Sequence, residues 1–170
     1  MNENIRDWNP DDGDLCQGDV LLFRLPDGFA PLKTQPVPPR NGKLILAEGE
    51  LTGHHHAIWF NPPMFRDDAL ARAMEAAPEP APAGKVTRCL SNRGQQPVQA
   101  ALYRDDDLAR RLVNDGHLTT ADLTIGFLVA EGTSVVLRHQ EHDPVRIPPG
   151  TYYVGGQQEF HGGRKRRVFD

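Results

Sequence analysis

Proline and glycine punctuate this chain so often that long helices have little room. Fifteen Pro and sixteen Gly fall among 170 residues, and both residue types interrupt regular elements and set turns. Between them lie short apolar and β-branched runs: Val20-Leu21-Leu22-Phe23-Arg24-Leu25, Lys43-Leu44-Ile45-Leu46-Ala47, Leu123–Ala130, Ser134–Arg138, Val145–Ile147 and Thr151–Val154. Runs of this length bounded by turn residues are strand signals. The expected fold is mainly β, a small barrel or sandwich. A chain of this length fits one domain and buries a core without disulfides or a metal as staples.

The middle reads differently. Leu51–Phe60 has strand character and is stopped by Asn61-Pro62-Pro63, because proline cannot donate to a ladder. Phe65, Ala69, Ala73 and Ala77 then recur every four residues, predicting a helix over 65–77 that Pro78 ends. Residues 78–84 alternate Pro with other residues and form a stiff linker. Lys85–Leu90 and Val98–Tyr103 read as strands, and Asp105-Asp106-Asp107 opens a short helix through Leu108, Leu112 and Val113, closed by Gly116. Residues 61–122 are therefore expected to be an insertion or excursion within one domain spanning 1–170. Residues 1–16 are an acidic lead-in, and residues 161–170 are a tail carrying Arg164-Lys165-Arg166-Arg167.

The formal net charge of -4 argues against a general nucleic-acid binder. No apolar run approaches the roughly 20 residues that span a bilayer, and the opening residues lack a signal-peptide pattern. Cys16 and Cys89 form neither a CxxC motif nor a disulfide framework. Cys89 reads as a small core residue. These features point to the cytoplasm, or to the inside of a particle assembled in the cell. They leave a small molecule, a protein, or a second copy of the chain as partner classes.

Five of the seven histidines sit in two short segments, Gly53-His54-His55-His56-Ala57 and His139-Gln140-Glu141-His142-Asp143-Pro144. On a strand, His54 and His56 share one face while His55 takes the other. Such a pair is a bidentate start for Zn, Fe, Mn, Ni or Cu, since neutral imidazole suits all of them. The second segment follows a strand and precedes proline, so a turn there aims His139 and His142 at one point. His54, His56, His139 and His142 are the expected ligands of a divalent transition metal. Glu141 is the expected proton-handling residue, with Glu48, Glu50 and Glu159 as further carboxylates able to orient a ligating histidine. The alternative is an ordinary hydrogen-bonding cluster, because imidazole pairs serve that purpose too. His117 and His161 stand alone and read as surface residues.

The His54-His55-His56 and Pro148-Pro149-Gly150 pieces are similar to those of cupins, which place a His-x-His and a later glutamate on one strand and a histidine after a Pro-x-Gly turn. Here Phe60 and Tyr153 occupy the glutamate and final histidine positions. A cupin-like site would therefore draw its remaining ligand from His139 or His142. The chain also resembles a group of short uncharacterised bacterial and phage-associated proteins in five segments. These are Gly18-Asp19-Val20, Thr52-Gly53-His54-His55-His56, His139-Gln140-Glu141-His142-Asp143-Pro144, Pro148-Pro149-Gly150-Thr151-Tyr152 and Gln157-Gln158-Glu159-Phe160. That likeness implies no activity. Walker, Rossmann and nucleophile-elbow motifs are missing from the sequence. Two functions are expected to compete: a metal-binding β protein of unspecified reaction, and a non-enzymatic structural or interaction protein of a phage-like particle or mobile-element system.

Overall fold

The computed structural model describes residues 4–48, 54–60, 99–161 and 164–167. The apolar runs fold as strands because their alternate residues have two different environments to fill. In Val20–Arg24, Val20 and Leu22 are buried while Leu21 and Phe23 are half-buried; in Lys43–Glu48 the buried pair is Leu44 and Leu46. That period of two is the signature of a sheet with one face against a core.

Twelve strands are described. Five form one sheet: β1 (Arg6–Asp7), β4 (Lys43–Glu48), β5 (His55–Trp59), β8 (Val135–Arg138) and β9 (Val145–Ile147), in the spatial order β1-β9-β8-β5-β4. Five form a second: β2 (Leu15–Gln17), β3 (Val20–Arg24), β6 (Gln99–Tyr103), β7 (Thr124–Glu131) and β10 (Gly150–Gly156), in the order β2-β3-β10-β7-β6. β11 (Gln158–His161) and β12 (Arg164–Arg167) pair as a separate ribbon, so the basic run lies on a strand. The pairing is antiparallel except where β1 joins β9. The two five-stranded sheets give a mainly β, sandwich-like architecture.

Leu22, Leu44, Leu46, Ile58, Leu128, Leu137, Tyr152 and Val154 form the core shared by both sheets. The single α-helix among the described residues, α1 (Asp106–Asn114), covers the outer face of the second sheet. Its Leu108, Ala109 and Leu112 pack on Phe127, Tyr153 and Leu25. The Asp105 carboxylate caps it by accepting from the backbone N–H of Leu108 at 2.8 Å, as the acidic triplet predicts. No helix among the described residues is long and apolar enough to cross a membrane.

Two short turns do something other than make hairpins. Glu131-Gly132-Thr133 has hairpin length, yet β7 and β8 belong to different sheets. Gly132, at φ 77°, lets the chain pass over the end of the sandwich. Pro148-Pro149 carries the chain back from β9 to β10 in the same way. By contrast, Gly18 and Asp19 form a true two-residue hairpin loop, since Gln17 pairs with Val20 across it; Gly18 adopts φ 54°.

The helix over 65–77, the linker 78–84, the strand Lys85–Leu90, and Glu50, Cys89 and Leu51–Gly53 lie outside the described residues. The described part of the expected excursion is β6 and α1, which complete the edge and outer layer of the second sheet.

Candidate functional site

The two histidine segments meet, and strand register is the reason. β5 pairs antiparallel with β8, Ala57 opposite Arg138 and Ile58 opposite Leu137. Continued beyond the end of β8, that register sets His56 opposite His139, His55 opposite Gln140 and His54 opposite Glu141. Each pair is in contact. The His56 and His139 rings stack with centroids 4.2 Å apart. The His55 backbone N–H donates to Gln140 Oε1 at 3.0 Å. The His54 Nδ1 lies 3.5 Å from Glu141 Oε1. His142, on the turn that follows, stacks on His139 at 4.7 Å and lies 6.2 Å from His56. The His54 and His139 rings meet edge to face at 5.7 Å. The structure thus brings His54, His56, His139, His142 and Glu141 together; His117 lies elsewhere, against Phe29.

The alternation expected of the triplet is also present. His56 points inward and is 1 % exposed, while His55 is half-buried and faces the Gln140 amide. Two residues of the second sheet, not anticipated as site residues, reach His56 from the β2–β3 hairpin. Asp19 Oδ1 lies 3.1 Å from His56 Nε2. Gln17 Oε1 lies 3.2 Å from His56 Nδ1, and Gln17 Nε2 donates to the Asp143 carbonyl at 2.7 Å. Gln17 and Asp19 are themselves 5 % and 6 % exposed. In the sequence Asp19 stands out only as part of the Gly18-Asp19-Val20 segment, and Gln17 does not stand out at all. Nothing local distinguishes a hairpin aspartate facing water from one facing a buried imidazole. The backbone keeps the hairpin in place: the Gln157 N–H donates to the Asp19 carbonyl at 2.8 Å and the Gln157 amide donates to the Val20 carbonyl at 3.1 Å.

The donor set has the chemistry of a transition-metal site, and ring geometry decides how far it is assembled. A ligating ring holds its centroid roughly 3.2 Å from an ion, a Zn–N bond of about 2.0–2.1 Å plus the ring radius; two rings on a tetrahedral ion then sit about 5 Å apart. The edge-to-face pair His54–His139 is close to that separation. The 3.1 Å between His56 Nε2 and Asp19 Oδ1 equals the spacing of neighbouring ligand atoms about 2 Å from one ion. The His56–His139 stack does not fit. An ion lies in the plane of each imidazole that binds it, and these planes are only 20° from parallel at a centroid distance of 4.2 Å. His139 Nδ1 moreover accepts from the Glu141 backbone N–H at 3.2 Å, which leaves the ring proton of neutral His139 on Nε2. Accordingly, no three His, Cys, Asp or Glu side chains among the described residues form a ready coordination group.

A cavity of about 640 Å³ opens on the other side of the second sheet, between Cys16, Phe23, Tyr153 and the segment His117–Thr120; its lining includes none of the clustered histidines. Burial, with a contribution from the Asp14 carboxylate, pushes the Cys16 thiol above its ordinary value of 9.0, which disfavours the nucleophilic thiolate there.

Residues 16–83 match the model of a domain of unknown function, DUF8820. The match takes in the β2–β3 hairpin, β4 and the His54–His56 triplet, and stops short of the His139–Pro144 turn. No curated protein and no solved structure matches the chain.

Proposed function

We propose that the end of the sandwich where β5 meets the β2–β3 hairpin is a binding site for a divalent transition metal (Zn, Fe, Mn or Ni). The ligands are drawn from His54, His56, His139 and His142, joined by Asp19. One observation carries this reading: three imidazoles and a buried carboxylate, from three distant parts of the chain, gather at the buried His56, the four rings lying with centroids 4.2–6.2 Å apart in their contacts and the Asp19 carboxylate 3.1 Å from His56 Nε2. His56 and Asp19 are the anchoring pair, because His56 lies within β5 and Asp19 in the tight β2–β3 hairpin, its carbonyl held by the Gln157 N–H. His139 joins only by leaving its stack on His56 and giving up the Glu141 N–H, so binding is coupled to a movement of the turn 139–142. Such coupling between a site and the segment that completes it is common where no ligand is fully preassembled. A metal held here supplies Lewis acidity and an activated water. Glu141, exposed and beside His54, is the group placed to accept or return a proton. The cupin-like reading of the His-x-His strand belongs with this proposal, with Asp19 standing in for the glutamate that Phe60 replaces. A small molecule or protein is the partner class, and the cytoplasm the setting.

The stack itself favours a second reading, in which the histidines are a closed polar cluster tying the two sheets and the chain is a structural or interaction protein. Metal content separates the two. Purified without a tag and reloaded with zinc, the parent chain is expected to hold about one equivalent, and His56→Ala and His142→Ala are expected to lose most of it. Substoichiometric zinc in the parent, unchanged in both variants, supports the closed cluster instead.

A further inference from the structure

We infer that the cavity on the outer face of the second sheet is a binding site for an uncharged, flat aromatic molecule whose oxygen accepts a hydrogen bond from Tyr153. None of the clustered histidines lines it, so it stands or falls apart from the metal reading.

Size and frame are those of a preformed small-molecule site. Such pockets enclose about 300–1,000 Å³ and are mostly apolar, with a few placed polar groups; this one holds about 640 Å³. Its floor belongs to β3 and β10, where Phe23 stacks on Tyr153 with ring centroids 4.8 Å apart and planes 23° from parallel. Leu21, Leu118 and Leu123 add aliphatic surface. These three and Phe23 are only half-buried, which leaves apolar area for a ring to cover. Backbone hydrogen bonds fix the opposite wall. The N–H groups of His117 and Leu118 donate to the Leu112 carbonyl at 2.8 and 3.1 Å, and the Gly156 N–H donates to the Leu123 carbonyl at 2.9 Å. Leu118 also packs against the cluster that seats α1. With floor and wall already ordered, binding carries little ordering cost.

The polar groups set the ligand's charge. Tyr153 is 2 % exposed. Its hydroxyl accepts from the Thr124 hydroxyl at a long 3.4 Å and makes no other hydrogen bond among the described residues. A hydroxyl has one proton to give, and buried polar groups are ordinarily paired. The phenol proton is therefore left for an acceptor brought into the cavity, and burial, which pushes this phenol above its ordinary value of 10.0, keeps the proton in place. An anion is disfavoured. Arg24 alternates with Phe23 along β3, so its side chain takes the other face of the strand; its guanidinium donates to the Pro149 carbonyl at 3.3 Å. His117 turns its ring to the edge contact with Phe29. The Asp14 carboxylate stays at the rim, close enough to raise the Cys16 thiol, and would repel a second carboxylate.

Indole-3-acetamide and indole-3-acetate share a ring and differ in charge, and they serve as probes. Each is titrated into the full ¹⁵N-labelled chain and followed by ¹H–¹⁵N correlation spectra. The amide is expected to give saturable shifts at Leu21, Phe23, Leu118 and Gly156, and the acetate to bind more weakly. Tyr153→Phe, which removes only the hydroxyl, is expected to weaken the amide about 3–10-fold. Leu118→Trp, which fills the cavity, is expected to abolish its binding. The inference is overturned by a lack of saturable shifts up to about 1 mM amide, the weak end of specific binding. Shifts confined to the histidine segments overturn it too, as does acetate binding as tight as that of the amide, or an unchanged affinity in Tyr153→Phe. Should Leu118→Trp not fold, the parent and Tyr153→Phe titrations decide.

Discussion

Replacing Gly155 with Ala should damage the protein out of proportion to the single methyl added. β10 places Tyr153 and Gly155 on the same outer face of the second sheet, and the Tyr153 ring folds back along the strand over Gly155. A Cβ at position 155 would meet Tyr153 Oη at 2.3 Å, Cε1 at 2.5 Å and Cζ at 2.6 Å. All three are closer than carbon atoms approach, so the ring has to move. Moving it disturbs established packing: Tyr153 is 2 % exposed, stacks on Phe23 at 4.8 Å and packs against α1. Forced overpacking of this kind costs about 1–3 kcal/mol. For a chain of this size each kcal/mol lowers Tm by about 2–4 °C, giving an expected fall of roughly 2–12 °C. Thermal and urea unfolding of Gly155→Ala, Tyr153→Leu and the double variant form a cycle. If the ring is the obstacle, Gly155→Ala costs less in the Tyr153→Leu background, with a coupling of about 1 kcal/mol or more. Equal cost in both backgrounds, or no cost at all, would refute the reasoning. Because Gly156 pairs with Val20 beside Asp19, a variant that folds with a displaced β10 should also bind zinc more weakly.

Asp105→Ala removes the α1 cap and an acceptor for the Leu32 N–H, and should cost about 1–2 kcal/mol in urea unfolding, with Asp105→Asn close to the parent. Burial pushes the phenols of Tyr152 and Tyr153 above their ordinary value of 10.0. The folded state then holds these protons more tightly than the unfolded one, so this contribution is complete below pH 10.0 and is lost as the pH rises toward the folded values. Urea midpoints should fall above that pH, and Tyr152→Phe and Tyr153→Phe should each flatten the decline. A midpoint independent of alkaline pH in the parent would contradict it.

The sheets were legible because their strands alternate: Val20–Arg24, Lys43–Glu48 and Val145–Ile147 bury every second residue, and that period survives in the sequence. What joins them was not. Glu131-Gly132-Thr133 has the length of a hairpin turn, but whether such a turn pairs its flanking strands or passes between sheets depends on which partners β7 and β8 find, a long-range matter. The meeting of the two histidine segments was anticipated from their chemistry; its cause, the β5–β8 register carried past Arg138, is visible only in the pairing. The stack of His56 on His139 and the hydrogen bond to His139 Nδ1 follow from the same register, and they hold the four expected ligands short of a finished coordination group. Gln17 and Asp19 were not picked out as site residues because a residue next to a turn glycine gives no sign of being buried.

X-ray absorption at the zinc edge tests the central proposal most directly, since it reports the ion's own neighbours. Zinc-loaded protein should show nitrogen and oxygen ligands at about 2.0–2.1 Å with the outer-shell scattering of at least two imidazoles, diminished in His56→Ala. A spectrum lacking imidazole scattering, or one identical in parent and His56→Ala, would contradict a metal centre built on His56.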